Sequence, residues 1–249
     1  MNIRKISENK NSVVLLVSGT NIKIMNAIRR AAMSNVPVLA IEDVAIHKNS
    51  SVLFDEYIAA RLALLPIKTD LKVYKPGDKV RLVLKEKGPK TVLSSDIKCT
   101  DPNVEIVAKN VPIVKLKEGQ EIFLEMDAVV NIGKEHAKWQ PALVSYNELP
   151  KLEGDIDERN AKNVLNACPK KILEYKAGKI IITAVENCDL CFRCEEASNG
   201  KLELKLSKNN FILRVETYGA LEVKDILEKA AEAIEDKCKK FEEELKKLK

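Results

Sequence analysis

The chain has 249 residues and a formal net charge of +5, from 42 basic against 37 acidic side chains. Apolar residues at 45% and charged residues at 32% exclude a disordered chain and supply enough apolar surface for a real core. Aromatics at 4% are too sparse for a reader that stacks on bases, the two signs of charge are interspersed, and no apolar run is long enough to span a membrane.

The N-terminal segment MNIRKISENKNS has no apolar stretch of signal-peptide type, so a soluble cytoplasmic protein is expected. Ile3–Ile6 and Val13–Ser18 read as a short hairpin, the second run being rich in β-branched and aliphatic residues. Thr20 is the expected N-cap of a helix over 21–34. Ile24, Ile28 and Ala31 fall at helical spacing there, and Met25 and Ala32 widen that face. Asn35 and Pro37 end it.

Val38–His47 reads as a strand, with Leu39 and Ile41 apolar and then, after an irregularity, Val44 and Ile46. Ser51 is the expected cap of a second helix over 53–64, whose face carries Ile58, Leu62 and Leu65 and which Pro66 stops. Asp55 and Glu56 suit its first turn. From Lys79 to Ile132 the period changes to two. Val80, Leu82 and Leu84, then Ile122, Leu124, Met126, Ala128 and Val130, alternate with other residues, which predicts a mostly antiparallel β region.

GKEHAKWQPA, over 133–142, reads as a loop holding the single Trp and one of the two His. Residues 201–206 and 211–215 read as strands, and Tyr218 with Gly219 as a turn. The last helix begins near Val223. Leu227, Ala231, Ile234, Cys238, Phe241, Leu245 and Leu248 follow in steps of four and three, a sustained heptad seam that runs to the end of the sequence. Such a stripe is longer than a small domain needs, so a partner is expected to cover it.

The segment 151–200 holds four of the six cysteines. Cys188, Cys191 and Cys194 form C-x-x-C-x-x-C, and Cys168, followed by Pro169, lies 20 residues earlier. Bacterial ferredoxins draw three ligands of a cluster from one such run and the fourth from a remote Cys-Pro. Counting back from Cys168, the second set falls on Val164, Ala161 and Glu158, and counting forward from Cys194, the fourth position is Ser198. The spacing therefore allows one iron–sulfur cluster, [4Fe–4S] with [3Fe–4S] as the alternative. Structural zinc prefers two separated C-x-x-C knuckles, and disulfides do not suit a cytosolic chain. Cys99 and Cys238 are expected to be small buried apolar side chains.

Nothing here resembles a catalytic constellation. His47 and His136 stand apart from other ligands and are expected to be structural. Arg29, Arg30 and Arg61 are suited to phosphate, to pinning loops within the chain or to carboxylates of a protein partner, and the partner is the favoured expectation.

NAIRRAAMS followed by PVLAIE, over 26–42, resembles the first motif of the RNA polymerase α-like family, and DEYIAARLALLPI, from Asp55, resembles its second. HAKWQPA and FILRVETYGAL resemble the archaeal and eukaryotic branch of that family, and the cysteine-bearing insert is similar to that of many archaeal members. The resemblance covers most of the chain. It departs where the first helix carries Ala-Ala-Met in place of Leu-rich sequence.

The resemblance implies an α+β fold: a discontinuous dimerisation domain (1–43 and 205–249), an inserted β-rich domain (44–150) and a small ferredoxin-like iron–sulfur domain (151–204). It implies a non-catalytic assembly subunit of DNA-directed RNA polymerase, which pairs with the small α-like subunit L through the first and last helices. Ile24, Ile28, Leu227, Ile234, Phe241 and Leu245 are the expected interface residues. Subunits N and P and the second-largest subunit are implied as further partners, with DNA met only through the complex. The alternative weighed against this is an iron–sulfur electron-transfer subunit of an oxidoreductase.

Overall fold

The computed structural model describes residues 1–248. In chain order come β1 (Asn2–Asn9), β2 (Ser12–Ser18), α1 (Ile22–Ser34), β3 (Pro37–Asn49) and α2 (Asp55–Ala63). The β-rich middle follows with β4 (Lys79–Lys87), β5 (Lys90–Leu93), β6 (Lys98–Cys99), β7 (Pro112–Leu116), β8 (Glu121–Ile132) and β9 (Ala142–Glu153). Then come α3 (Glu158–Ala167), β10 (Leu173–Lys176), β11 (Lys179–Ile182), α4 (Arg193–Glu196), β12 (Glu203–Thr217) and α5 (Val223–Lys246). This is a mixed α+β chain. Compactness divides it into two units, 1–26 with 145–214 and 27–144 with 215–249.

In the first unit a sheet runs in the order β1-β2-β12-β9. β2 alternates, burying Val13, Leu15 and Val17. β1 forms the edge and keeps Arg4, Lys5 and Glu8 in solvent, which blunts that edge against strand addition. β12 is one strand of 15 residues where two separate strands are expected, because the polar residues Ser207–Asn210 stay extended between two apolar stretches.

In the second unit an antiparallel sheet runs β3-β8-β4-β6. The period-two reading holds: Ile122, Leu124, Met126, Ala128 and Val130 of β8 are buried, opposite Val80, Leu82 and Leu84 of β4. The irregularity expected in β3 is present, since its register against β8 shifts between Ile41 and Asp43 and again between Ile46 and Lys48. Ile58 and Leu62 of α2, with Leu65 just after it, join this core.

The HAKW segment forms a single 3-10 turn over Ala137–Trp139 that ties β3 to β8. Trp139 donates its indole N–H to the Val129 carbonyl at 2.9 Å. The Lys138 amine donates to the Ile41 carbonyl at 3.0 Å, pairs with Glu42, and lies 4.4 Å from the Trp139 ring centroid. A buried ammonium is thus balanced by a carboxylate, a carbonyl and a π face. His136 accepts from the Lys138 amide at 3.1 Å, and so serves the turn.

Several expectations are corrected. The cap of α1 is Asn21, not Thr20: Asn21 Oδ1 accepts from the Ile24 amide at 3.0 Å, while the buried Thr20 hydroxyl finds no partner among the described residues. The face of α1 that is buried carries Met25, Ala31 and Ala32, with Ile24 exposed and Ile28 half-buried. Ser51 does not cap α2. Its hydroxyl bonds Asn49 Oδ1 at 2.7 Å, a local turn that delays the helix to Asp55 and leaves Phe54 at the cap. His47 lies within β3, stacked 4.6 Å from Phe123 and 3.6 Å from Glu125. Arg61 donates to the Pro112 carbonyl, so it pins β7 within the chain instead of waiting for a partner. Cys99 is half-buried against the β-rich core, but Cys238 is exposed, because it stands on the solvent side of α5.

The caps give a sharp test. Asn21→Ala should cost about 1 kcal/mol in urea unfolding, the usual worth of an N-cap. Thr20→Val, which removes a hydroxyl without a partner, should leave stability equal or higher.

Candidate functional site

Four local structures bring the four cysteines of 151–200 to one place. Cys168 is the C-cap of α3, whose first turn is held by Asp157: its carboxylate accepts from the Asn160 amide at 3.4 Å and pairs with Lys201 at 2.7 Å. Cys188 caps the 3-10 turn Val185–Asn187. Cys194 is the second residue of α4 and packs against a core of Ile156, Ala161, Val164, Ile180 and Leu202. Cys191 is exposed between them.

All four thiols line one pocket, with Ile172, Leu173, Ile182, Phe192 and Leu204 supplying apolar walls. Burial raises the pKa of Cys188 and Cys194, and neighbouring thiols raise it further. Both shifts favour the protonated thiol, so metal loading at Cys188 and Cys194 must displace protons.

The backbone around the pocket is strained. Among the described residues the non-glycine residues at positive φ are Lys171, Ala177, Leu190, Phe192 and Asn199, all inside this segment. Leu190 and Phe192, at φ of 55° and 59°, flank Cys191. Left-handed backbone at such residues costs about 1–3 kcal/mol each and persists where its surroundings over-determine it. Ligation of Cys191 would supply such a constraint. Glycine carries the entry to the segment: at Gly154 φ is 125°, and a Cβ would stand 2.2 Å from the Lys201 carbonyl oxygen.

The residues present fit one polynuclear cluster. Among the described residues no three His, Cys, Asp or Glu side chains converge to hold a single ion. Thiols spread around the wall of a shared pocket are instead suited to separate irons of one cluster. Where a second ligand set would stand, Ala161 and Val164 are core residues at 1% and 0% exposure. Ser198 is also buried; its hydroxyl donates to the Glu195 carbonyl at 2.6 Å and accepts from the Leu202 amide at 3.0 Å. All six cysteines are free of disulfides.

A second candidate surface lies on α5. Its buried positions are Ile226 and Ala230. The expected seam begins one residue out of phase with these. Leu227 and Ile234 are half-buried, and Phe241 and Leu245 are exposed at 66% and 47%. Leu248, beyond the helix, is 82% exposed. Lys237, in line with Ile226 and Ala230, reaches Asn35 at 2.8 Å. On α1, Ile24 is 46% exposed. Among the described residues no helix is long and apolar enough to cross a membrane.

Sequence reasoning missed two parts of the cysteine site. The left-handed residues beside Cys191 give no residue-type signal, since Leu and Phe rarely adopt that backbone. Arg214, a half-buried cation on β12 that lines a cavity with Cys188, was signalled only by its place inside the apolar run FILRV.

Residues 41–147 match the family model of the RNA polymerase Rpb3/RpoA insert domain. Over nearly its whole length the chain is similar to curated proteins named DNA-directed RNA polymerase subunit Rpo3. That of Methanobrevibacter smithii is 36% identical with 97% of each chain covered. That of Thermococcus kodakarensis is 35% identical with 98% of each covered, and that of Methanosphaera stadtmanae 34% with 96% of each covered.

One pH dependence comes from the support of α3. The Lys201 ammonium and the Asn160 amide hold Asp157 below the usual carboxylate range, and Lys205 and Lys151 lower Glu153 to about 2. Both pKa values are depressed on folding, so the stability they contribute is present above the unfolded carboxylate range and is lost as pH falls through the folded values. Asp157→Asn keeps a capping side chain and removes the charge. It should lower the melting temperature slightly at pH 7, and the gap to wild type should close only as pH falls through the depressed folded value of Asp157, well below the ordinary carboxylate range. Circular dichroism melts across that range check it.

Proposed function

The chain belongs to the Rpo3 family of DNA-directed RNA polymerase subunits, and from that premise we propose that it is the platform on which a small α-like partner, subunit L, completes a heterodimer. It is a component of a nucleotidyltransferase complex and is not itself catalytic. The relatives are polymerase subunits, and the reading as an electron-transfer subunit of an oxidoreductase falls away.

The observation that carries the proposal is the uncovered stripe of α5. A helix that buries Ile226 and Ala230 in its own chain and leaves Phe241 and Leu245 in solvent has a second face for a second body. Ile24 and Ile28 of α1 offer further apolar surface. Residues 1–43 with 205–249 make the dimerising part, 44–150 the inserted β-rich part, and 151–204 a ferredoxin-like part. Subunits N and P and the second-largest subunit join the heterodimer, DNA is met only through the assembled enzyme, and the complex works in the cytoplasm.

Cys168, Cys188, Cys191 and Cys194 hold one iron–sulfur cluster, with [4Fe–4S] favoured because four thiols, not three, line the pocket. When bound, such a cluster crosslinks the end of α3, the turn before Cys188 and the start of α4. Stripping iron with a chelator should therefore increase proteolysis within 151–204 and leave the β-rich core intact.

Co-expression with a small α-like subunit tests the platform. The wild-type chain should elute as a one-to-one heterodimer. The double variant Phe241→Glu, Leu245→Glu should stay folded, because both residues are exposed, and should lose the partner. An unchanged heterodimer would refute the proposed interface.

A further inference from the structure

We propose that Arg214 is a positioning residue for the four-cysteine site: it clamps the turn that presents Cys188 onto β9 and fixes a positive charge beside that ligand. This role rests on the reading of the four cysteines as an iron–sulfur centre.

Arg214 sits on β12 between the buried Leu213 and Val215, and is itself half-buried. One terminal nitrogen of its guanidinium donates to Asn147 Oδ1 on β9. The other donates to the backbone carbonyl of Glu186, two residues before Cys188 in the turn Val185–Asn187. Asn147 is itself held, because its amide nitrogen donates to the Glu148 carbonyl at 2.8 Å. The planar fork thus spans a sheet strand and a ligand-bearing turn, a geometry that a lysine cannot reproduce.

The charge of Arg214 has no use in those two bonds, since both acceptors are neutral oxygens. Removing a guanidinium partly from water for neutral partners alone is costly. The side chain lines one cavity with Lys170, Glu186, Asp189 and Cys188, and Cys188 also lines the thiol pocket. Burial weakens the hold of Arg214 on its proton, and the charges of Glu186 and Cys188 oppose that effect. Glu186 is one anionic neighbour of the guanidinium, and thiolates around a cluster would add a second. A nearby cation favours the more negative, reduced form of such a centre, so it raises the reduction potential.

The full chain is reconstituted anaerobically with ferrous iron and sulfide, and two quantities are read. The first is the rate of cluster loss to a chelator, from visible absorbance. The second is the midpoint of one-electron reduction by dithionite. Arg214→Gln should lose its cluster about tenfold faster, as removal of an outer-shell partner commonly does, and its midpoint should move to lower potential. Arg214→Lys should recover the midpoint but not the slow loss. Asn147→Ala, which frees one anchor and keeps the charge, should speed loss and leave the midpoint in place. This last variant keeps the test alive if Arg214→Gln fails to fold. A role in folding alone would change apoprotein melting without moving the midpoint, and would overturn the proposal. So would loss rates and midpoints equal to wild type. A wild-type chain that takes up no iron would overturn the reading of the cysteines, and the role of Arg214 with it.

Discussion

A helix can bury a given stripe against only one neighbour, and α5 carries two stripes. Ile226 and Ala230 are spent on the chain's own core. Leu227 and Leu245 lie about 100° around the helix from Ile226. With Ile234 and Phe241 they form a stripe that becomes more exposed toward the end of the helix. The chain covers only the first stripe. Burying Phe241 and Leu245 would each be worth about 1.5–3 kcal/mol, a strong incentive for a second polypeptide. The exposed apolar residues of α1 and membership of a polymerase-subunit family agree with a chain that works within a multisubunit complex.

The cysteine segment is held by a different kind of constraint. Its apolar core is small, centred on Ile156, Ala161, Val164, Ile180 and Leu202. Two of those residues, Ala161 and Val164, stand where the ferredoxin spacing would put a second set of ligands, and both are packed in the core. The remaining four thiols face a shared pocket, wrapped by backbone that Leu190 and Phe192 adopt only at a cost. Packing thus holds part of the segment, and the proposed ligation would hold the rest. Cys188 and Cys194 are not activated thiols, because burial raises their pKa.

Much of this was legible in the residues. Alternation in β4 and β8 fixed the core face of the β-rich region, and the steps of four and three gave α5 from Val223 onward. The run of Cys188, Cys191 and Cys194, with the remote Cys168 before Pro169, marked the candidate site, and the fold places all four at one pocket. What was not legible was local competition. Thr20 and Asn21 are both good caps, and only the fold decides which side chain meets the Ile24 amide. Ser51 was drawn into a turn with Asn49. Cys238 was read as buried because it lies on an apolar stripe, and a stripe does not say whether its cover is the chain itself or another molecule. Arg214 left only the faint mark of a charge inside an apolar run.

Hydrogen exchange along α5 tests the two-stripe account most directly. In the chain alone, amides from Ile234 to Lys246 should exchange far faster than those near Ile226 and Ala230, and an α-like partner should slow them selectively. Equal protection along the helix in the free chain, unchanged when that partner is added, would contradict it.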